Sequence, residues 1–247
     1  MNNKILEKII NLKLNSKKFF DHIPNGLQIE GKKNIHKIVL GVSICKELIE
    51  KSIIYNADAI IVHHGFFWKN EEKTLKGVNK NRIKLLLKHN INLYNWHLPL
   101  DAHSKLGNNI QISKKLKIIF KKKIKDFLFI GKFYKPINKK KLINNISDIF
   151  GQTPICLNYN LNKKIKNVAW CSGAGQKFFS IAIEKKIDAF LTGEASENSI
   201  YLAKENNVFY FSLGHYASEK FGIRSLGKWL SYKYNLEVKF IDIFNPI

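Results

Sequence analysis

Hydrophobic positions along this chain of 247 residues fall into two alternating rhythms. Short runs such as Val39-Leu40-Gly41-Val42 and Ala59-Ile60-Ile61-Val62 are continuous and rich in β-branched residues, whereas the stretches between them place apolar residues every three to four positions. In the first part this pattern predicts a strand over Lys37 to Ser43, a helix over Cys45 to Asn56 and a strand over Ala57 to His63, then a helix over Asn81 to Asn90 and a strand over Ile91 to Leu98. The last third returns the same order: strand Asn167 to Cys171, helix Gln176 to Lys186, strand Asp188 to Thr192, helix Glu197 to Asn206, strand Val208 to Leu213 and a long helix from about Tyr216. Strands that alternate with helices and carry unbroken apolar runs belong to mostly parallel sheets covered on both faces. The expected fold is therefore α/β, with two related α/β halves forming intertwined lobes of three-layer character.

The halves also resemble each other residue by residue. Val39-Leu40-Gly41-Val42-Ser43 faces Val168-Ala169-Trp170-Cys171-Ser172, and Ala57-Asp58-Ala59 faces Ile187-Asp188-Ala189. After the third strand of each half comes a histidine with a carboxylate four residues on, His97 with Asp101 and His215 with Glu219, which suggests an internal duplication. Residues 1–103 read as the first half, continuing with the C-terminal region, and residues 163–247 as the second. The bridging segment, residues 104–162, holds a helical stretch, a strand-like Phe127 to Tyr134, a helix Lys139 to Phe150 closed by Gly151, and a short strand Ile155 to Tyr159.

Composition narrows the class. With 45% hydrophobic residues the chain can bury a substantial core, no apolar run reaches the roughly 18 to 20 residues that span a bilayer, and no signal-peptide core opens the sequence. A cytoplasmic location is expected. The cysteines Cys45, Cys156 and Cys171 are widely spaced and form no CxxC pair, so they read as reduced, mostly buried thiols. The formal net charge of +23 raises a polyanion partner. Only Arg82 and Arg224 are arginines, however, and a lysine-dominated excess amid Asn, Ile and Phe fits coding bias and a solvated surface better than a dedicated nucleic-acid site.

Candidate chemistry gathers at predicted strand ends. His63-His64-Gly65 closes one strand, Asp101 follows another, and His215 with Glu219 at i and i+4 share one face of the helix after a third. Three imidazoles and two carboxylates exceed the usual complement of one tetrahedral ion and suit two divalent cations, with Zn, Fe or Mn favoured by the nitrogen-rich set. Such a pair would lower the pKa of a bound water towards neutrality. His97 then stands behind the ligands, orienting Asp101 or moving a proton, with a hydrogen-bonded core role as the alternative. His103 has no assigned role, and Glu194, falling opposite His64 in the alignment of the halves, reads either as a first-turn carboxylate near a helix N-terminus or as part of the site. Ser172-Gly173-Ala174-Gly175 offers a weak anion-binding turn at a helix start, and His22, His36 and His89 read as surface residues.

The ordered blocks Pro24-Asn25-Gly26-Leu27-Gln28, Val62-His63-His64-Gly65, Trp96-His97-Leu98-Pro99-Leu100-Asp101, Gly173-Ala174-Gly175, Thr192-Gly193-Glu194 and Gly214-His215-Tyr216-Ala217-Ser218-Glu219 resemble the YbgI family, the GTP cyclohydrolase I type 2 homologues of the NIF-three-like superfamily. The resemblance spans nearly the whole chain. It implies that His63, His64, Asp101, His215 and Glu219 hold a dinuclear metal centre between the lobes, in a toroidal homohexamer. It also implies a metal-dependent hydrolase opening the purine ring of a nucleotide such as GTP. The alternative is a metal-stabilised ring that binds nucleic acid or a protein partner without turnover.

Overall fold

The computed structural model describes residues 1–72, 74–158 and 160–247. Two compact units divide the chain: Met1–Gly107 with Gly222–Phe244, and Asn108–Phe221 with Asn245–Ile247.

The first unit is built on a five-stranded sheet in the order β1 (Gly26–Ile29), β4 (Asn92–Asn95), β3 (Ala59–His64), β2 (Lys37–Ser43) and β11 (Glu237–Phe240). All neighbours run parallel except β1 against β4. Strand β3 is buried along nearly its whole length, which is why its sequence shows no polar alternation. Val39, Ile60, Val62 and Leu93 pack on one face with Leu48 and Ile49 of helix α2 (Lys46–Ile54) and Ile83 and Leu86 of α3 (Gly77–Lys88). The opposite face carries Leu40, Ile61 and Tyr94. Helix α1 (Asn3–Leu14) closes on it, its Asn3 carbonyl accepting from the Tyr94 hydroxyl at 2.9 Å and its Asn11 side chain from the Trp96 indole at 2.9 Å. Gly227, in the long helix α9 (His215–Tyr234), leaves room for Leu40 and Val238 where a Cβ would collide. Helices on both faces make the expected three layers.

The second unit carries a six-stranded sheet ordered β5 (Ile118–Ile124), β6 (Leu128–Ile137), β8 (Ile165–Cys171), β9 (Ala189–Thr192), β10 (Phe209–Ser212) and β7 (Ile155–Leu157). Its β8, β9 and β10 are parallel, and apolar clusters cover both faces. Most of the 104–162 stretch is built into this unit and supplies three of its strands. The expected helix Lys139 to Phe150 is observed as α6 (Lys139–Phe150), with the Asn138 side chain accepting from the Lys141 amide at 2.8 Å and Gly151 leaving at φ +81°. Of the expected strand Ile155 to Tyr159, β7 occupies the first part, and Tyr159 lies outside the described residues.

The duplication is written into the hydrogen bonds of each unit. The Asp58 side chain accepts from the backbone amides of His36 and Lys37, both at 2.9 Å, and Asp188 accepts from those of Lys166 and Asn167 at 3.0 and 2.8 Å. A lysine completes each arrangement, Lys32 at 2.7 Å from Asp58 and Lys163 at 3.3 Å from Asp188. The strand registers correct the alignment by one residue at its outer strands. Ile38 and Ala59 pair as Val168 and Ala189 do, and Asn92 sits beside Ala59 as Phe209 sits beside Ala189. His97 thus corresponds to Gly214, and His215 to Leu98, the first residue of α4 (Leu98–Ala102). The two His-x-x-x-carboxylate pairs are neighbours in register and not equivalents.

Candidate metal centre

In the first unit the ligand-type residues stand where β3 and β4 end. A continuous apolar strand ending in His63-His64 brings both imidazoles to the sheet rim, where their ring centroids lie 4.6 Å apart. His63 is fully buried, and its Nδ1 lies 2.9 Å from the Trp96 carbonyl. A carbonyl only accepts, so Nδ1 carries the proton and Nε2 presents a lone pair. That Nε2 is 3.4 Å from Asp101 Oδ2. Asp101 comes from α4, which Pro99 opens near its N-terminus, and its carboxylate is nearly buried. His64 Nδ1 lies 2.9 Å from the Ser43 hydroxyl. The loop beyond is fixed by Gly65, whose amide donates to Asn95 Oδ1 at 2.7 Å, and by Gln28, which accepts from the Phe66 amide at 2.8 Å and donates to the Phe66 carbonyl at 2.9 Å.

His97 joins this group. His63, His64 and His97 can each turn a ring nitrogen to within 4.8 Å of the others, and their ring centroids lie 4.6 to 5.5 Å apart. Its Nδ1 donates to Asp21 Oδ1 at 2.8 Å, while Asn25 accepts from the His97 amide at 2.8 Å and donates to Asp21 Oδ2 at 2.9 Å. Burial alone would raise the Asp21 carboxyl. The hydrogen bond and charge of His97, with the donors of Asn25 and Leu98, outweigh it and hold the carboxyl below its ordinary value. Asp21 escaped the sequence reading because its partner lies 76 positions away and nothing local marks it.

In the second unit, α9 begins at His215 and sets Glu219 one turn along the same face. His215 Nε2 is 3.1 Å from Glu219 Oε2 and its Nδ1 is 2.6 Å from Glu194 Oε1, so Glu194 is the residue that orients the ring. Gln176 donates to the other Glu194 oxygen at 3.0 Å. Burial would lower the His215 pKa, but the hydrogen bonds and charges of Glu219 and Glu194 prevail and push it up to about 9. Gly173 passes close behind at φ +59°, where any Cβ would meet the Glu219 carboxylate.

The remaining candidates have structural employment. His103 Nδ1 accepts from the Lys105 and Leu106 amides at 3.1 and 3.0 Å, and its Nε2 donates to the Lys13 carbonyl at 3.1 Å. In the glycine-rich turn the amides of Ser172, Gly173 and Gly175 are already taken within the protein, donating to Asn109, Ser218 and Thr192. None of the three cysteines is in a disulfide. Among the described residues no helix is long and apolar enough to cross a membrane.

An α/β fold with histidines and carboxylates converging at strand ends defines a class of protein able to hold a metal ion. The model of the Duf34/NIF3 (NGG1p interacting factor 3) family matches residues 1–246, and the chain belongs to that family. The relative from Buchnera aphidicola subsp. Schizaphis graminum (strain Sg), named GTP cyclohydrolase 1 type 2 homolog, is 52% identical over 246 residues, spanning 100% of both chains. The Escherichia coli (strain K12) protein of the same name is 44% identical, again over 100% of both. Among solved structures, protein ybgI, described as of unknown function, superposes with a TM-score of 0.98 at 43% identity over 100% of both chains. The resemblance carried by the sequence blocks is thus a true family relationship.

Proposed function

We propose that this chain holds two divalent cations with His63, His64, Asp101, His215 and Glu219, and that it is a metal-dependent hydrolase acting on a nucleotide. The observation that carries the reading is the tautomer imposed on His63: the Trp96 carbonyl takes Nδ1–H and leaves Nε2 with a lone pair for a cation, beside the Asp101 carboxylate. Glu194 and Asp21 do the same orienting work for His215 and His97. Zn, Fe or Mn suits these nitrogen and oxygen donors. Bound there, such cations would acidify a water and polarise the electrophilic atom of the substrate.

The protein's own groups do the rest. Asp101 and Glu219 would balance the charge of bound cations, Glu194 and Asp21 fix ring orientation, and His97 is placed to hold or pass a proton. The name GTP cyclohydrolase 1 type 2 homolog, borne by the relatives, supports a purine nucleotide as substrate. A toroidal homohexamer belongs to the same reading, and analytical ultracentrifugation tests it. The hydrolase reading is tested with a nucleotide and phosphoester panel on metal-loaded wild type and on a His215→Ala, Glu219→Ala double variant. Metal and turnover should be lost together, and turnover that survives without metal contradicts the proposal.

One observation favours a second reading, a metal-stabilised binding protein for nucleic acid without turnover. Lys121, Lys122, Lys185 and Lys186 line one hollow of about 520 Å³ in the second unit. Binding to single-stranded DNA that weakens steeply with salt supports it; no binding near physiological ionic strength rejects it.

A further inference from the structure

The loop after the paired histidines is aromatic and oddly exposed. Phe66 is 3% exposed and seals the core, whereas the next ring, Phe67, is 49% exposed. Phe67 also holds φ at +70°, a left-handed conformation that a bulky L residue rarely adopts. Trp68 follows, half-buried, its ring edge-on to His97 with centroids 5.2 Å apart and 5.8 Å from that of His64. Together with Phe66, Leu75 and Ile83, Phe67 and Trp68 line a largely apolar hollow of about 390 Å³ within the first unit. That volume falls in the range of roughly 300 to 1,000 Å³ typical of small-molecule sites.

The geometry points to a base-stacking subsite: the hollow takes the planar heterocycle of a purine nucleotide against Phe67 and Trp68, beside His64 and His97. This rests on the nucleotide-hydrolase reading above and names the residues that would select its substrate. Flat apolar walls match the faces of a base, and aromatic side chains stack on bases through their π-faces. A phosphate is a poor occupant, since Glu71 and Glu72 outnumber Lys69 in the wall. Trp68 touches the histidine cluster on the one hand and the hollow on the other, so a base lodged there is held next to the candidate metal ligands.

The test is equilibrium dialysis of metal-loaded protein with GMP and, separately, with ribose 5-phosphate. Trp68→Ala should weaken GMP binding about 10- to 100-fold, Trp68→Phe should restore most of it, and ribose 5-phosphate binding and metal content should not change. Phe67→Gly, which suits the positive φ and removes the ring, serves as a second variant with an intact backbone and should also weaken GMP alone. GMP binding that is unaltered in both Trp68→Ala and Phe67→Gly overturns the subsite and leaves the nucleotide reading standing. Failure of the wild-type protein to bind GMP at all overturns both.

Discussion

His97 Nδ1 and Asp21 Oδ1 meet at 2.8 Å, and the Asp21 side chain is only 3% exposed. A buried carboxylate that can only accept obliges His97 to carry its proton on Nδ1 and to turn Nε2 towards His63 and His64. Asp21→Asn keeps the shape but removes the charge and permits the other tautomer. Because His97 is not among the proposed ligands and instead holds or passes a proton, hydrolysis by the metal-loaded protein should fall about 100-fold or more, while metal content, read by competition with a chromophoric chelator, should be kept. Unchanged hydrolysis would show that the dyad serves the fold alone.

His215 makes the corresponding arrangement in the second unit with two carboxylates. In metal-free protein its pKa is raised from 6.5 to about 9, so the clamp is complete below the unfolded value and is lost as pH rises through about 9. NMR titration of the metal-free protein should show one histidine still protonated at pH 8, and Glu194→Gln should bring it down. Zinc added at pH 7 must displace that proton, which calorimetry in buffers of different ionisation enthalpy would detect.

Gly173 is a backbone position where the second unit does not tolerate a side chain. At φ +59° an alanine is strained by about 1 to 3 kcal/mol, and its Cβ would also displace the Glu219 carboxylate. Gly173→Ala should lower the melting temperature by several degrees and reduce metal content. Gly77→Ala provides the control, because its φ of +56° is equally left-handed but a Cβ there meets nothing within 4 Å.

Asp58 ties two backbone amides and Lys32 at the start of β2, away from the candidate ligands. Burial would raise its carboxyl, but Lys32 and the amides of Lys37 and His36 hold it below 3.8. A depressed carboxyl contributes stability above the unfolded value and loses it as pH falls through the folded one. Asp58→Asn should therefore lower the urea midpoint, by about 1 to 3 kcal/mol in free energy, at pH 7 and at pH 5. The gap from wild type should close only below about pH 4.

Much of this was legible in the sequence because burial on both faces of a strand leaves an unbroken apolar run, as in Ala59-Ile60-Ile61-Val62. Helix α6 was legible through its Gly151 stop. Strand β5 was not: it reads as a lysine run because it is an edge strand whose Lys121, Lys122 and Lys123 face solvent, a device that discourages further pairing. Short β1 lacks any alternation, and β11 alternates over only four residues, Glu237-Val238-Lys239-Phe240, too few to stand out. His63, His64 and the His215 and Glu219 pair were readable from their places after strands. Asp21, Asn25 and Gln28, which lock the neighbouring rings and loop, were not identified as such, since each acts on a residue far along the chain. The one-residue offset between the halves emerged only from pairing registers.

Elemental analysis of purified protein tests the central claim most directly, comparing wild type with His63→Ala and with the His215→Ala, Glu219→Ala variant, each shown to be folded by circular dichroism. A shared dinuclear centre predicts about two divalent ions per wild-type chain and a clear loss in either variant. Wild-type protein that holds no metal after loading, or variants that hold as much as wild type, would contradict it.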